Sequence, residues 1–285
     1  MTFQEKYSKI LSVCEQEINL VVNNLTNEIE LQEPLKTKLF DILNAPSKHI
    51  RPLVSFLFLK ACGFEINQNQ ILYQSAVELV HNASLIHDDV IDESETRRNV
   101  KTLNNEFNNK LAVISGDYLL SKALDKVIET GSMELVKIFS ETLAVMSEGE
   151  VIQQFSKFEI PSIEDYIEKS YKKTAKLFET AILGSCILAK FNSKSAKEFA
   201  RNFGVAFQIR DDLINCKTSK TDIKDGIYTA PVIFSNGIEI TGDGIEKTKG
   251  LLNNYIINAK KNIEFMDNNE YKVALTELLG LLKYE

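Results

Sequence analysis

A single segment combines three aspartates with two arginines at a spacing suited to binding a metal and phosphate. Residues 80–98 read VHNASLIHDDVIDESETRR. The aspartates are Asp88, Asp89 and Asp92. Because neighbouring carboxylates repel one another, they need compensating cations, and hard oxygen ligands of this kind suit Mg²⁺ that is also bound by substrate phosphate oxygens. Arg97 and Arg98 follow closely and could bind further phosphate oxygens bidentately.

Helical geometry places much of this chemistry on one face. At about 100° per residue, His81, Ser84, Asp88 and Asp92 fall within one narrow sector, with Asp89 beside them. The rest of the segment is mainly apolar, so the predicted helix is apolar with a row of carboxylates. The alternative is a solvated helix end whose charges pair with Lys or Arg, and the nearby His81 and arginine pair make that alternative less favoured.

A second acidic row follows in residues 207–215, FQIRDDLIN. Gln208, Asp211, Asp212 and Asn215 stand at i, i+3, i+4 and i+7 and therefore share one helix face. Alone, this pattern is more often a surface face. Together with the first row it predicts two helices that face each other across metal ions and one diphosphate.

Two basic segments could bind phosphate oxygens. Lys48 and Arg51 lie at the start of an apolar segment, where the positive end of a helix dipole favours anions. Lys173 and Thr174 offer a cation and a hydroxyl beside apolar residues. Each segment could equally be an ordinary basic surface, so neither is specific by itself.

The elements that position these residues are predicted to be helices. No proline occurs between Pro52 and Pro161, no glycine occurs from Phe64 to Ser115, and apolar residues in 72–86 recur every three or four positions. No sustained alternation of period two and no repeat is present. We therefore expect an all-α fold of about ten or more helices, forming a single domain over residues 1–285.

Composition limits the possible partners and the compartment. The net charge is −7, which argues against a general nucleic-acid-binding protein. The four cysteines have no CxxC spacing, so neither a disulfide framework nor a zinc cluster is indicated, and a reducing cytoplasm is expected. No segment is long and apolar enough to span a bilayer, although transient membrane contact during product release is compatible with the sequence.

Five segments, in order, resemble motifs of the trans-isoprenyl diphosphate synthases, most closely the long-chain polyprenyl diphosphate synthases. Residues 48–52 are similar to G-K-x-x-R-P, and residues 78–98 to the first aspartate-rich motif. Residues 116–120 (GDYLL) match a further block, residues 173–178 resemble K-T-A-x-L-F, and residues 207–215 resemble the second aspartate-rich motif. The matched region runs from about Pro46 to Val232.

The resemblance implies a helical bundle around a deep apolar cavity, usually as a homodimer. It implies an enzyme that condenses an allylic diphosphate with isopentenyl diphosphate, with three Mg²⁺ ions in each active site. The residues expected to bind metal are Asp88, Asp89, Asp92, Asp211, Asp212 and Asn215. Those expected at the allylic diphosphate are Arg97, Lys173, Thr174, Gln208 and Lys220. Those expected at isopentenyl diphosphate are Lys48, Arg51, His81 and Arg98. Asp88, Asp89, Lys173 and Asp211 are the expected catalytic residues.

Three departures from the family pattern concern the second half of the site. Asn215 stands where the family usually has Asp, which leaves a neutral oxygen as ligand. The loop in residues 216–221 is short, although Lys220 can stand for the family's lysine there. Ile227 occupies a position where the family commonly has a phosphate-binding lysine, which predicts weaker binding of the allylic diphosphate.

Small residues precede the first aspartate. Ala83 and Ser84 stand five and four positions before Asp88, where short-chain members of the family commonly have bulky aromatic residues. We therefore expect the tunnel to stay open beyond this helical turn and the product to be long, about thirty carbons or more. A short-chain farnesyl or geranylgeranyl synthase, and a weakly active or non-catalytic subunit of a two-component synthase, are the alternatives. A class I terpene cyclase is a further alternative, but such an enzyme would not need Lys48, Arg51 and His81.

Overall fold

The computed structural model describes residues 2–27, 29–97, 100–191, 194–218 and 221–284. Its α-helices are α1 (Phe3–Ser12), α2 (Glu15–Thr26), α3 (Leu35–Asn44), α4 (Ile50–Ala61), α5 (Gln68–Ile91), α6 (Leu103–Glu106), α7 (Asn109–Glu129), α8 (Met133–Phe155), α9 (Ile163–Ser170), α10 (Lys176–Leu188), α11 (Lys194–Thr218), α12 (Thr221–Lys224), α13 (Ala230–Ser235), α14 (Gly242–Lys261) and α15 (Glu270–Leu281). The predicted all-α fold is confirmed.

Helix α5 carries the first acidic row and is well defined at both ends. At its start the Asn67 side chain accepts hydrogen bonds from the amides of Asn69 and Gln70, and the Gln70 side chain accepts one from the Asn67 amide. This reciprocal cap satisfies amide groups that have no partner within the helix. The helix ends just before Asp92, and Glu93 then takes a left-handed conformation with φ of 49°.

A short hairpin follows α5 directly. Strands β1 (Thr96–Arg97) and β2 (Val100–Lys101) pair antiparallel, with Arg97 opposite Val100. Strands of two residues are too short to produce an alternating pattern, so the sequence did not predict them. The hairpin folds Arg97 back toward α5, where its guanidinium contacts Asp89.

A π-helical segment over Tyr171–Ala175 joins α9 to α10. It also escaped prediction, since a π turn has no distinct sequence pattern. Single π turns often occur at functional sites, and this one carries Lys173 and Thr174. Helix α11 approaches it closely at Gly204, where an added Cβ would lie 2.5 Å from the Ala175 Cα, so a glycine is needed for this contact.

The buried apolar residues form two clusters. The larger one includes residues of α1, α2, α4, α10, α11, α14 and α15. The second includes residues of α3, α5, α7 and α8, among them Ala83 and Phe139. Helix α4 is almost wholly buried, so it forms part of the rigid support from which Arg51 extends.

Candidate active site

A central cavity of about 580 Å³ lies among α4, α5, α7, α8, α11 and the π segment. Its polar lining includes His81, Ser84, Asp88, Lys173, Gln208 and Asp211. Its apolar lining includes Val80, Leu85, Leu120, Leu143, Met146 and Phe207. The cavity has the size of an ordinary small-molecule site. A lining that combines charged groups with apolar side chains suits a ligand with a polar head and an apolar chain.

Two aspartates of the first acidic row, Asp88 and Asp89, line different cavities. Asp88 lines the central cavity, where burial raises its pKa to about 6, opposed by the charge of Lys173. Asp89 is 5% exposed and is bound by Arg97, whose Nε lies 2.9 and 3.0 Å from its two carboxylate oxygens and whose Nη2 lies 2.8 Å from Oδ1. The pair lines a separate cavity of about 280 Å³, here called the outer cavity. Successive residues of an α-helix are rotated by about 100° about its axis, so the adjacent side chains of Asp88 and Asp89 reach different cavities.

The second acidic row is held mainly by neutral donors. The Tyr166 hydroxyl donates to Asp212 Oδ2 at 2.6 Å, and Gln208 Nε2 donates to Oδ1 at 2.8 Å. Thr174 Oγ1 in turn donates to Gln208 Oε1 at 2.6 Å. Burial raises the pKa of Asp212 to about 7 even though both hydrogen bonds lower it. Asp211 instead lines the central cavity.

A third cavity of about 170 Å³, here called the polar cavity, is lined by residues of both acidic rows. Its lining includes Asp92, Lys169, Lys173, Asp212, Asn215 and Asp222. Lys173, Thr174 and Gln208 border both this polar cavity and the central cavity, so the two spaces are adjacent. Lys173 Nζ lies 2.6 Å from Glu150 Oε2 on α8, which fixes one cation between the two rows.

A further cavity of about 400 Å³, here called the α4 cavity, contains the residues expected to bind isopentenyl diphosphate. Lys48, Arg51 and His81 all line it. Arg51 is 8% exposed, burial lowers its pKa to about 10, and its Nε is buried with no hydrogen-bond partner. An unsatisfied buried guanidinium nitrogen is costly, and an anion bound in this cavity would satisfy it. Glu78 also lines this cavity, and its Oε2 accepts a hydrogen bond from His49 Nδ1 at 2.9 Å.

Comparison with known proteins decides the family. The Polyprenyl synthetase family model matches residues 32–262. An octaprenyl diphosphate synthase of Haemophilus influenzae is 30% identical, with 96% of this chain and 95% of that protein covered.

The chain belongs to the polyprenyl synthetase family. It is accordingly a trans-prenyltransferase.

Two solved structures share the fold of this polyprenyl synthetase. A decaprenyl diphosphate synthase from Rhodobacter capsulatus gives a TM-score of 0.88 at 22% identity, covering 97% of this chain and 98% of that one. A polyprenyl synthase from Caulobacter crescentus, complexed with calcium and isoprenyl diphosphate, gives 0.87 at 24% identity and covers 97% of both chains. At such low identity these structures establish the fold alone.

Not all of the residues predicted from the sequence line the central cavity. Ser84 lines the central cavity, whereas Ala83 is fully buried in the second apolar cluster. Asn215 lines the polar cavity. Arg98 and Lys220 lie outside the described residues.

Sequence reasoning missed Glu150, Tyr166, Lys169 and Asp222. Tyr166 and Glu150 make direct contacts with Asp212 and Lys173, but both come from helices with no recognisable acidic motif. A signal existed for Lys169, because it stands four residues before Lys173 and thus one helical turn away. Asp222 follows the short loop of residues 216–221, and no recognisable motif includes it.

The donor set suits a hard divalent cation, although the carboxylates are spread around two cavities. Within the described ranges, no three His, Cys, Asp or Glu side chains are close enough to form a ready-made metal site. This spacing fits an ion that takes one or two carboxylates and completes its shell with water and phosphate oxygens, as Mg²⁺ does. No helix in the described part of the chain is sufficiently long and apolar to cross a bilayer.

Proposed function

We propose that this trans-prenyltransferase condenses an allylic diphosphate with isopentenyl diphosphate and repeats the step to give a long trans-polyprenyl diphosphate. One observation carries the proposal: the acidic rows of α5 and α11 both reach one cavity, whose lining also includes a large apolar part formed by residues such as Val80, Leu120 and Leu143. The adjacent α4 cavity offers Lys48, Arg51 and His81 for a second diphosphate. Two neighbouring anion sites and one apolar cavity match two diphosphate substrates with one growing chain.

We further propose that the cations are Mg²⁺, three per active site, held by Asp88 and Asp92 on one side and by Asp211, Asp212 and Asn215 on the other. Their oxygen ligands are of the kind that Mg²⁺ prefers. When bound, Mg²⁺ neutralises the negative charge that develops on the departing diphosphate. Asp89 contributes through Arg97, because their ion pair fixes the guanidinium at the end of α5.

The chain's own residues supply the remaining functions. Lys173, Thr174 and Gln208 border both the central and polar cavities and bind the allylic diphosphate there. Arg51 and its neighbours hold isopentenyl diphosphate so that its double bond faces the allylic carbon, and holding both reactants in place removes much of the entropic barrier. The apolar walls exclude water from the carbocation. The released diphosphate can accept the final proton, so no side-chain base is required.

A long product is supported by the small side chain of Ser84 on the cavity wall and by the names of relatives. Lining residues on α5 run from Asp88 down to Val80, a rise of about 12 Å. An extended chain advances about 1.2 Å per bond, so an isoprene unit takes about 5 Å and this depth holds two to three units. A longer chain must pass Val80 toward Phe139, which is buried on α8. The Haemophilus relative is an octaprenyl diphosphate synthase.

The decisive experiment is a product analysis. Purified protein would be incubated with Mg²⁺, isopentenyl diphosphate and geranyl, farnesyl or geranylgeranyl diphosphate, and chain length would be measured by mass spectrometry. We expect products of about six isoprene units or more. A fifteen- or twenty-carbon end product would favour the short-chain alternative, and a folded but inert protein would favour the partner-subunit alternative that Asn215 and Ile227 suggested.

The chain-length account has its own test at two adjacent positions. Ser84→Phe should shorten the product, because Ser84 lines the central cavity. Ala83→Phe places the same ring at a fully buried site, where overpacking costs about 1–3 kcal/mol of stability. Unchanged long products from a folded, active Ser84→Phe enzyme would contradict the account.

We also propose a homodimer in a reducing compartment such as the cytoplasm. Large apolar side chains are exposed on α7 and α8, including Ile114, Ile128, Met133, Val151 and Phe155, and such surfaces commonly mark protein interfaces. All four cysteines are free thiols, which suits a reducing compartment. Light scattering coupled to size-exclusion chromatography would measure the mass, and a monomer at micromolar concentration would contradict the dimer.

A further inference from the structure

Ile227 places an apolar side chain on the wall of a cavity that is otherwise strongly polar. The polar cavity of about 170 Å³ brings Ile227 together with Asp92, Asp212 and Asp222. An isoleucine there can neither donate a hydrogen bond nor balance a charge. A diphosphate in this cavity needs cations among the lining residues, because Asp92, Asp212 and Asp222 would otherwise repel its phosphate oxygens.

Lys169 borders the same space as Ile227. Both line the polar cavity, and both also line a small neighbouring crevice that includes Gln153. Lys169 belongs to the last turn of α9, and it precedes Lys173 by four residues, about one turn. Lys169 and Lys173 both reach the polar cavity.

The lysines near the polar cavity differ in whether a carboxylate forms a direct ion pair with them. Lys172 lies 3.2 Å from Glu168, Lys173 lies 2.6 Å from Glu150 and Lys176 lies 3.0 Å from Glu179. Among the described residues, Lys169 has no carboxylate within 4.0 Å, although it is half-buried.

The charges around Lys169 act over longer range. Asp212 and Asp222 favour its charged form, whereas burial, the largest effect, lowers its pKa. The Lys169 side chain is half-buried and makes no direct ion pair with any residue that the structure describes, so no carboxylate there balances its charge at close range. A phosphate oxygen in the polar cavity would supply such a partner.

We propose that Lys169 is a binding residue for the allylic diphosphate, supplying from α9 the cation that Ile227 does not supply. Its ammonium binds a phosphate oxygen, while Lys173 enters the site already paired with Glu150. The inference rests on the proposed function, since it assigns a further contact to the same diphosphate.

The principal test removes the positive charge of Lys169 and then restores a positive charge at residue 227. Lys169→Met keeps much of the side-chain length and removes the charge. Lys169→Met combined with Ile227→Lys returns a cation to the same wall from residue 227. Lys172→Met, three residues along, is the matched control, because Lys172 pairs with Glu148 and Glu168 instead.

Two measurements apply to each variant. Calorimetry would give the affinity for inorganic diphosphate with Mg²⁺, and steady-state kinetics would give KM for each substrate separately. A charge-assisted hydrogen bond corresponds to about a tenfold to hundredfold change in affinity. We expect Lys169→Met to weaken diphosphate binding by that factor and to raise KM for the allylic substrate, with KM for isopentenyl diphosphate nearly unchanged. The double variant should recover to within about threefold of the native affinity, and Lys172→Met should match the native enzyme.

The outcomes separate this inference from the proposed function. If the native protein neither binds magnesium diphosphate nor forms product, the proposed function fails. If it does both and Lys169→Met behaves like it, only the assignment of Lys169 is overturned. Loss without recovery in the double variant would overturn the replacement of residue 227 by Lys169. Thermal unfolding would verify folding, and Lys169→Gln would replace Lys169→Met if the latter did not fold.

Discussion

The carboxylates of α5 and α11 are balanced by different kinds of partner. On α5, Asp89 is bound by the guanidinium of Arg97, and Asp88 lies in the field of Lys173. On α11, Asp212 receives its hydrogen bonds from the neutral groups of Tyr166 and Gln208. Hydrogen bonds from neutral donors orient a carboxylate but leave its charge uncompensated.

This difference suggests how the two sides contribute to binding. The α5 side has cations in place before any ligand arrives. On the α11 side, the hydrogen-bond donors to Asp212 are neutral, and burial raises its pKa to about 7. Asp212 therefore depends more on cations that arrive with the substrate.

Loss of the first acidic row should have the largest effect. We expect Asp88→Ala to lower kcat by about a thousandfold, because it removes electrostatic stabilisation of the departing diphosphate. Chelation of divalent ions should abolish turnover altogether. Steady-state assays with and without EDTA would measure both, with exposed Asp243→Ala on α14 as the control. Full activity in EDTA would refute the metal mechanism.

Asp89 and Arg97 should behave as one unit. Each single alanine substitution should reduce kcat/KM by about tenfold, and the double variant should lose little more, since contacting residues couple by about 1–2 kcal/mol. A double-mutant cycle would measure this coupling. Additive losses, or an Asp89→Ala defect as large as that of Asp88→Ala, would indicate that Asp89 contacts the metal directly.

Without metal, the stability of the protein should depend on pH through Asp212 on α11. Asp212 has a folded-state pKa of about 7, above its ordinary value of about 3.9. The stability associated with its proton is therefore present at low pH and lost as pH rises through about 7.

Asp212→Asn removes this titration. In chelator, its free energy of unfolding relative to the native protein should increase between pH 5 and pH 8, by on the order of 2 kcal/mol. Urea unfolding at several pH values would measure it. A mismatch between the new amide and its two donors would shift the whole curve without changing its slope, so a flat difference would contradict the prediction. Asp243→Asn is the control.

Of these variants, Asn215→Asp should have the smallest effect on activity. It adds a third carboxylate to the acidic row of α11, so that both rows then carry three. An added carboxylate raises the charge of the ligand set, so the Mg²⁺ concentration for half-maximal rate should fall by about threefold. Without metal, the same change adds repulsion near Asp212 and Asp222 and should lower stability. An unchanged Mg²⁺ dependence would place Asn215 outside the metal's reach.

The sequence by itself determined the helical class and most of the chemistry. Absence of proline and glycine across residues 64–115 allowed α5 to be long, and the spacing of Asp88 and Asp92 placed them on one face. The order of the motifs indicated the family. These features are local, because they depend on the helical period and on which residues interrupt it.

Tertiary structure decided which charges meet. A hairpin of two-residue strands returns Arg97 to Asp89, a π turn positions Lys173, and α9 brings Tyr166 and Lys169 to the cavity that Asp212 and Ile227 also line. Each of these pairings joins residues separated by several to many positions, and none follows from periodicity. A helical pattern defines the face on which a side chain lies, whereas the packing of another helix against that face determines its partner.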